Sequence, residues 1–281
     1  MKHLFCQSKS VLLVITLMLG VLSESVLNAQ EELPVFQIAH LCDPQLGFGV
    51  NGNGYEDDLA RLKKAVLRVN ELMPDMVVVA GDMVNDVNND EAAAAFQEAM
   101  ALLKMPVVPT PGNHDLPDPV TADGLQRYRS RYGEDFRVIE CKGRCLVSAN
   151  SQLWREAPGE EIVRHERLLR DALQKAKTKK QPVIMLTHVP PFVATVDEAD
   201  EYFNLPQAKR EEILRLCDEH GVFLWLAGHT HKTARRSYQR ITLLNGETTS
   251  RNFDGHPPGF RLLTIHSDQS FDWDFISCEP D

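Results

Sequence analysis

The chain reads as an α/β protein, and three patterns in it point there. Short apolar runs of buried-strand type alternate with one-faced helical segments through residue 227. Five of those runs release a metal-ligand residue type at their carboxyl end, where sites gather in open α/β sheets. With 281 residues and 43% hydrophobic content, the chain has material for the core of one large domain.

The amino terminus stands apart. Lys2 to Lys9 is basic, Val11 to Leu22 is apolar, and small and polar residues follow to Gln30, which is signal-peptide anatomy. The apolar run is short for a bilayer span. Residues 1–29 are therefore expected to be a signal peptide, cut after Ala29 or alternatively after Ser25, with an uncleaved anchor as the rival reading. The implied product is periplasmic or secreted, has no stable membrane insertion, and folds over residues 33–281.

Val35 to Cys42 is the first strand and ends at Asp43; Leu46 to Gly54 follows as a glycine-rich rim loop without the Lys-Ser/Thr ending of a phosphate cradle. Asp57 to Met73 is a helix with Leu59, Leu62, Val66, Val69 and Leu72 on one face. Met76 to Ala80 then leads to Asp82. Glu91 to Leu103 is an alanine-rich helix, and Pro106 to Pro109 leads into Gly112-Asn113-His114-Asp115. Thr121 to Tyr132 is a third helix, with Thr121 or Asp123 as its cap. Glu160 to Lys177 and Pro206 to His220 are the fourth and fifth. Between them Val183 to Thr187 ends at His188, and a long loop, Pro190 to Asn204, borders that end as a solvated connection or a lid. Val222 to Ala227 delivers Gly228-His229-Thr230-His231. Ile241 to Leu244, Phe260 to His266 and Phe271 to Ile276 are expected to close the chain as antiparallel strands.

Five cysteines remain beyond the leader, an odd number that requires a free thiol or an intermolecular bridge. Cys141-Lys-Gly-Arg-Cys145 reads as a hairpin turn whose arms are bridged or unlinked with equal weight; for an exported chain one disulfide is the expectation tested below. Acidic residues outnumber basic ones 40 to 30, with no Lys/Arg block of the kind that tracks a phosphate backbone. That argues against a nucleic-acid scaffold and leaves phosphate recognition to metal ions.

Asp43-Pro-Gln45, Gly81-Asp82, Gly112-Asn-His-Asp115, Thr187-His188 and Gly228-His-Thr-His231, in this order, resemble the calcineurin-like metallophosphoesterases. Asn150-Ser-Gln, Asp200-Glu-Tyr-Phe-Asn204 and Gly259-Phe-Arg are similar to the calcineurin-like phosphoesterase-domain serine/threonine phosphatase branch. The resemblance implies a four-layer α/β/β/α sandwich with two mixed sheets flanked by helices. It also implies two divalent metal ions, with Asp82 bridging them, Asp43 and His231 on one, and Asn113, His188 and His229 on the other. Mixed imidazole and oxygen donors suit Mn, Fe or Zn. Such a pair would acidify a bridging water for in-line attack on phosphorus, and His114 would protonate the leaving oxygen or stabilise phosphoryl charge.

Two departures stand out. Gln45 occupies a position where most of the superfamily has histidine, so at best a neutral amide oxygen serves the first metal. Asn85 stands where the resemblance leads one to look for an acidic partner to His114, and Asp86 is the neighbouring substitute. The expected activity is a phosphoric ester hydrolase acting on a phosphorylated substrate, monoesterase ahead of diesterase. The rival is a calcineurin-fold scaffold without catalysis.

Overall fold

A computed structural model of the chain describes residues 32–49, 54–155 and 159–279. The expected signal segment, residues 1–29, and the tip of the glycine-rich loop lie outside these. The first half runs β1 Phe36–Leu41, α1 Glu56–Leu72, β2 Met76–Val79, α2 Asp90–Met100, β3 Val107–Pro109, α3 Ala122–Tyr132, β4 Arg137–Cys141 and β5 Arg144–Ser148. A 3-10 turn at Ser151–Trp154 leads to α4 Gly159–Thr178, β6 Val183–Leu186, α5 Gln207–Glu219, β7 Val222–Ala227, β8 Ala234–Tyr238, β9 Ile241–Asn245, β10 Gly259–Ile265 and β11 Phe271–Ser277.

The strands form two mixed sheets, β11-β10-β1-β2-β3 and β4-β5-β6-β7-β9-β8. In the first, β1, β2 and β3 are parallel and β10 and β11 antiparallel. In the second, β5, β6, β7 and β9 are parallel, with β4 and β8 as antiparallel edges. Side-chain alternation along the strands builds four layers. Ile38, Met76 and Val78 of the first sheet meet Ile184, Leu186, Leu224 and Leu226 of the second in an apolar layer between the sheets. Their neighbours point the other way: Ala39, Val77 and Val79 pack on α1, α2 and α3, whereas Val183, Met185 and Trp225 pack on α4 and α5. Strands buried on both faces read as unbroken apolar runs, which is why they were visible in the sequence.

The helix starts follow their caps. Thr121 accepts the Gly124 N–H at 3.1 Å and Asn89 accepts the Ala92 N–H at 2.9 Å. Two expectations are corrected. The chain does not finish as one antiparallel set, because β9 pairs parallel to β7 and antiparallel to the unanticipated β8, while β10 and β11 join the other sheet. The Cys141–Cys145 bridge is absent. The hairpin exists, but its turn is Lys142-Gly143, with φ of 47° and 75°, the left-handed pair that suits a two-residue hairpin. Cys141 then pairs with Arg144 and Glu140 with Cys145, so the two thiols point to opposite faces. Cys141 packs against the layer between the sheets and Cys145 in the layer under α4, and both are free.

Candidate dimetal site

Five loops leave the carboxyl ends of β1, β2, β3, β6 and β7, and between them they carry the residues singled out from the sequence. The backbone turns sharply as it leaves the strands: Asp43, Gln45, Asp82, His229 and His231 all have positive φ, between 41° and 69°. Side chains other than glycine rarely adopt that region, and where they do the surroundings must hold them there. The chain also comes too close for a side chain at two motif glycines. A Cβ on Gly112 would overlap the carboxylate and backbone nitrogen of Asp82, and one on Gly228 would overlap the Asp43 carboxylate and the Ala80 carbonyl.

Each imidazole has one nitrogen committed to a backbone carbonyl, which can only accept, and this fixes where its hydrogen sits. His188 Nδ1 donates to the Ala80 oxygen at 2.7 Å, His231 Nδ1 to Arg251 at 2.6 Å, and His229 Nε2 to Tyr202 at 2.9 Å. In a neutral ring the other nitrogen keeps its lone pair. His188 Nε2 lies 3.0 Å from Asn113 Oδ1 and 3.3 Å from Asp82 Oδ2, so in a neutral ring a lone pair would face two further acceptors. Asp82, His188 and His229 offer ligand atoms within 4.8 Å of one another. Asp43 adjoins this group: its carboxylate is 3.6 Å from His231 Nε2 and accepts the His229 N–H at 3.0 Å.

The charge balance asks for cations. Asp43 and Asp82 are buried, and among the described residues neither has a Lys or Arg partner. Burial pushes the Asp43 carboxyl above its usual range. Burial opposes ionisation of Asp82 as well, but the His188 charge outweighs it and holds that carboxyl low. Burial also disfavours a charged His188, yet Asp82 and Asp43 together hold it up at about 9. His229, buried and beside His188, is pushed down to about 3. Two buried carboxylates without a Lys or Arg partner among the described residues make a site that divalent ions would neutralise.

Gln45 supplies an independent sign. Its side chain is 1% exposed, its Nε2 donates to Asn85 Oδ1 at 3.1 Å, and its Oε1 is buried with no donor. A buried amide oxygen without a partner costs about 1–3 kcal/mol, and a cation would satisfy it. The residues present thus fit a pair of metal ions: Asp43, Gln45, Asp82 and His231 toward one, and Asp82, Asn113, His188 and His229 toward the other.

His114 lies beside this group. Its backbone N–H donates to Asp82 Oδ1 at 2.9 Å, and its Nδ1 donates to the Asn85 carbonyl at 2.7 Å. Asp86 does not serve as its partner, because that carboxylate accepts the Asn88 N–H instead. A main-chain oxygen thus orients the ring, and no side chain at Asn85 or Asp86 advertises it.

Further contributors lie in motifs quoted from the sequence, which gave them no role. Tyr202, from the long loop before α5, accepts the Asn113 Nδ2–H on its hydroxyl at 3.0 Å and the His229 ring N–H on its carbonyl. The loop that carries it is pinned by Glu198, which accepts the Val193, Ala194 and Thr195 N–H groups and the Asn204 amide. The acid-rich segment was the available signal, although it named no role. Asp115 joins two site loops, accepting the Gly112 and Met83 N–H groups, each at 2.8 Å. Ser151, next to Asn150, accepts the Val189 N–H and so braces the turn after His188.

Known proteins share this arrangement of chain. Serine/threonine-protein phosphatase CPPED1 of Danio rerio is 26% identical over 250 residues, 82% of this chain and 81% of that one. A probable glycerophosphodiester phosphodiesterase, GpdQ of Arcobacter nitrofigilis, is 28% identical over 204 residues, 67% of this chain and 69% of that one. The crystal structure of a dimetal phosphatase from Danio rerio superposes with a TM-score of 0.63 at 15% identity, over 88% of this chain and 97% of the other, a likeness of fold. Residues 36–233 match the calcineurin-like phosphoesterase family. With its two-sheet sandwich and its ligands gathered from five strand ends, the chain belongs to that family.

Proposed function

We propose that this protein is a phosphomonoesterase working with two divalent cations, manganese, iron or zinc, on phosphorylated substrates outside the cytoplasm. The convergence of Asp43, Asp82, Asn113, His188, His229 and His231, with each ring's free nitrogen set by a carbonyl on the other, carries the reading. Metal ions bound there would lower the pKa of a water and draw charge from the phosphoryl oxygens. His114 holds its Nδ1 hydrogen on the Asn85 carbonyl, so Nε2 is the nitrogen available to deliver a proton to the departing alkoxide. The Asp82 carboxylate fixes the backbone at His114 and so sets the distance of that ring from the reacting phosphorus. Tyr202 covers the Asn113 and His229 side and limits water there.

The phosphatase among the relatives supports monoester substrates, and the apolar leader supports export. The diesterase relative favours the second reading, hydrolysis of phosphodiesters. Assay of the manganese-supplemented protein on p-nitrophenyl phosphate and on bis(p-nitrophenyl) phosphate separates these. Faster release from the monoester is expected. Faster release from the bis-ester would establish the diesterase, and hydrolysis of neither would leave a binding scaffold.

A further inference from the structure

A cleft of about 380 Å³ opens from the site on the His114 side. Of the residues assigned to metals and catalysis, only Asn113 and His114 line it; Leu116, Pro117 and Val120 form an apolar wall, and Gln152 and Arg155 stand among its other lining residues. In an in-line displacement the leaving oxygen departs toward the group that protonates it, so this cleft is a space into which the body of a leaving group can extend from His114. The volume suits a small organic group.

Two features of the cleft lack a hydrogen-bond partner among the described residues. The Arg155 guanidinium lies over the Tyr202 ring, 5.4 Å from its centroid, and pairs with no carboxylate among the described residues. Gln152 is 5% exposed, and its Nε2 is buried without an acceptor. A hydrogen-bond donor held in that state is costly unless a ligand oxygen completes it. Asp118, the cleft's acidic residue, is exposed to water, whereas Arg155 is half-buried and its charge is less screened.

We propose that Gln152 and Arg155 form a specificity subsite for leaving groups that carry a carboxylate, with the apolar wall taking the carbon skeleton between phosphate and carboxylate. The proposal rests on the phosphoesterase reading above. It places these residues beyond the phosphoryl group, so they discriminate among alcohols and leave the phosphate to the metal site. A guanidinium and an amide N–H meeting a carboxylate are worth about ten- to a hundredfold in discrimination.

Phenyl phosphate and 4-carboxyphenyl phosphate differ only in the group the subsite would read. The manganese-loaded wild type is expected to favour the carboxylated ester at least about tenfold in kcat/KM, and Arg155→Met to bring that ratio to near one. Arg155→Lys, which keeps the charge without the fork, should retain part of the preference. A ratio near one in the wild type, or a ratio unchanged in Arg155→Met, overturns the proposal. Equal losses on both esters also overturn it, because Arg155 would then be serving the phosphoryl group. Should neither ester be hydrolysed, the phosphoesterase reading fails separately, and calorimetry with benzylphosphonate and 4-carboxybenzylphosphonate still decides the subsite. Tighter binding of the carboxylated compound by wild type but not by Arg155→Met supports it; equal binding refutes it.

Discussion

The two halves of the candidate metal site are both held by outer hydrogen bonds but differ in their donors. Around Asn113, His188 and His229 every side chain is hydrogen-bonded on its outer side: His188 to Ala80, His229 and Asn113 to Tyr202. The Asp43, Gln45 and His231 half is braced too, by the His229 N–H, Asn85 Oδ1 and the Arg251 carbonyl. His231 also stacks on Phe253 at 4.6 Å, and Gln45 offers a neutral oxygen that accepts no hydrogen bond. Each half has one amide, Gln45 or Asn113, but the first has one imidazole and the second two, and an imidazole binds transition metals more strongly than an amide. The first ion should therefore exchange more readily than the second.

The largest effect is expected where the halves meet. Asp82→Asn should bring p-nitrophenyl phosphate hydrolysis below detection and lower the metal content measured by mass spectrometry. Normal metal content with a normal rate would remove Asp82 from its bridging place. His114→Ala should spare both ions but slow turnover by about a hundred- to ten-thousandfold. The loss should be greater for an alkyl phosphate than for p-nitrophenyl phosphate, whose departing oxygen needs less help; identical losses would deny His114 the role of acid.

Gln45→His sharpens the contrast directly. It should tighten manganese binding at the weaker site by about tenfold or more, the scale of altering a ligand shell. Superimposable two-site calorimetric curves for variant and wild type would show that Gln45 does not limit that site. Smallest is Tyr202→Phe, which deletes the acceptor for Asn113 and keeps the carbonyl that holds His229. A lost hydrogen bond predicts binding about three- to tenfold weaker at the tighter site alone. Weakening of both sites together would mean that the halves are not independent.

Most of this site was legible because strand-end ligands announce themselves locally. An apolar run buried on both faces that stops at Asp43, Asp82, His188 or His229 carries both the strand and its functional end in a few consecutive residues. The helices were legible for the same reason, with one-faced patterns and caps such as Thr121. The expected disulfide failed on a matter of facing: the Lys142-Gly143 turn puts Cys141 and Cys145 on opposite sides of the hairpin, and one residue of turn length decides that. Of the last strands, β10 and β11 pair antiparallel as expected, whereas β9 joins the other sheet beside β7, since a strand's own residues do not say which edge it joins.

The sequence by itself determined the fold class, the order of the elements apart from β8, and the residue types gathered at the strand ends, because these depend on side-chain chemistry and on periods of two and 3.6 residues. Only the tertiary structure decided what holds them. The Asn85, Ala80, Arg251 and Tyr202 carbonyls that orient four histidines belong to the main chain, which is the same at every residue and leaves no mark in the sequence. The same holds for Gln45 and Arg155: whether an amide oxygen is left without a hydrogen bond, or a guanidinium with only an aromatic ring beneath it, depends on every neighbour around it, and those neighbours are gathered from across the chain by folding.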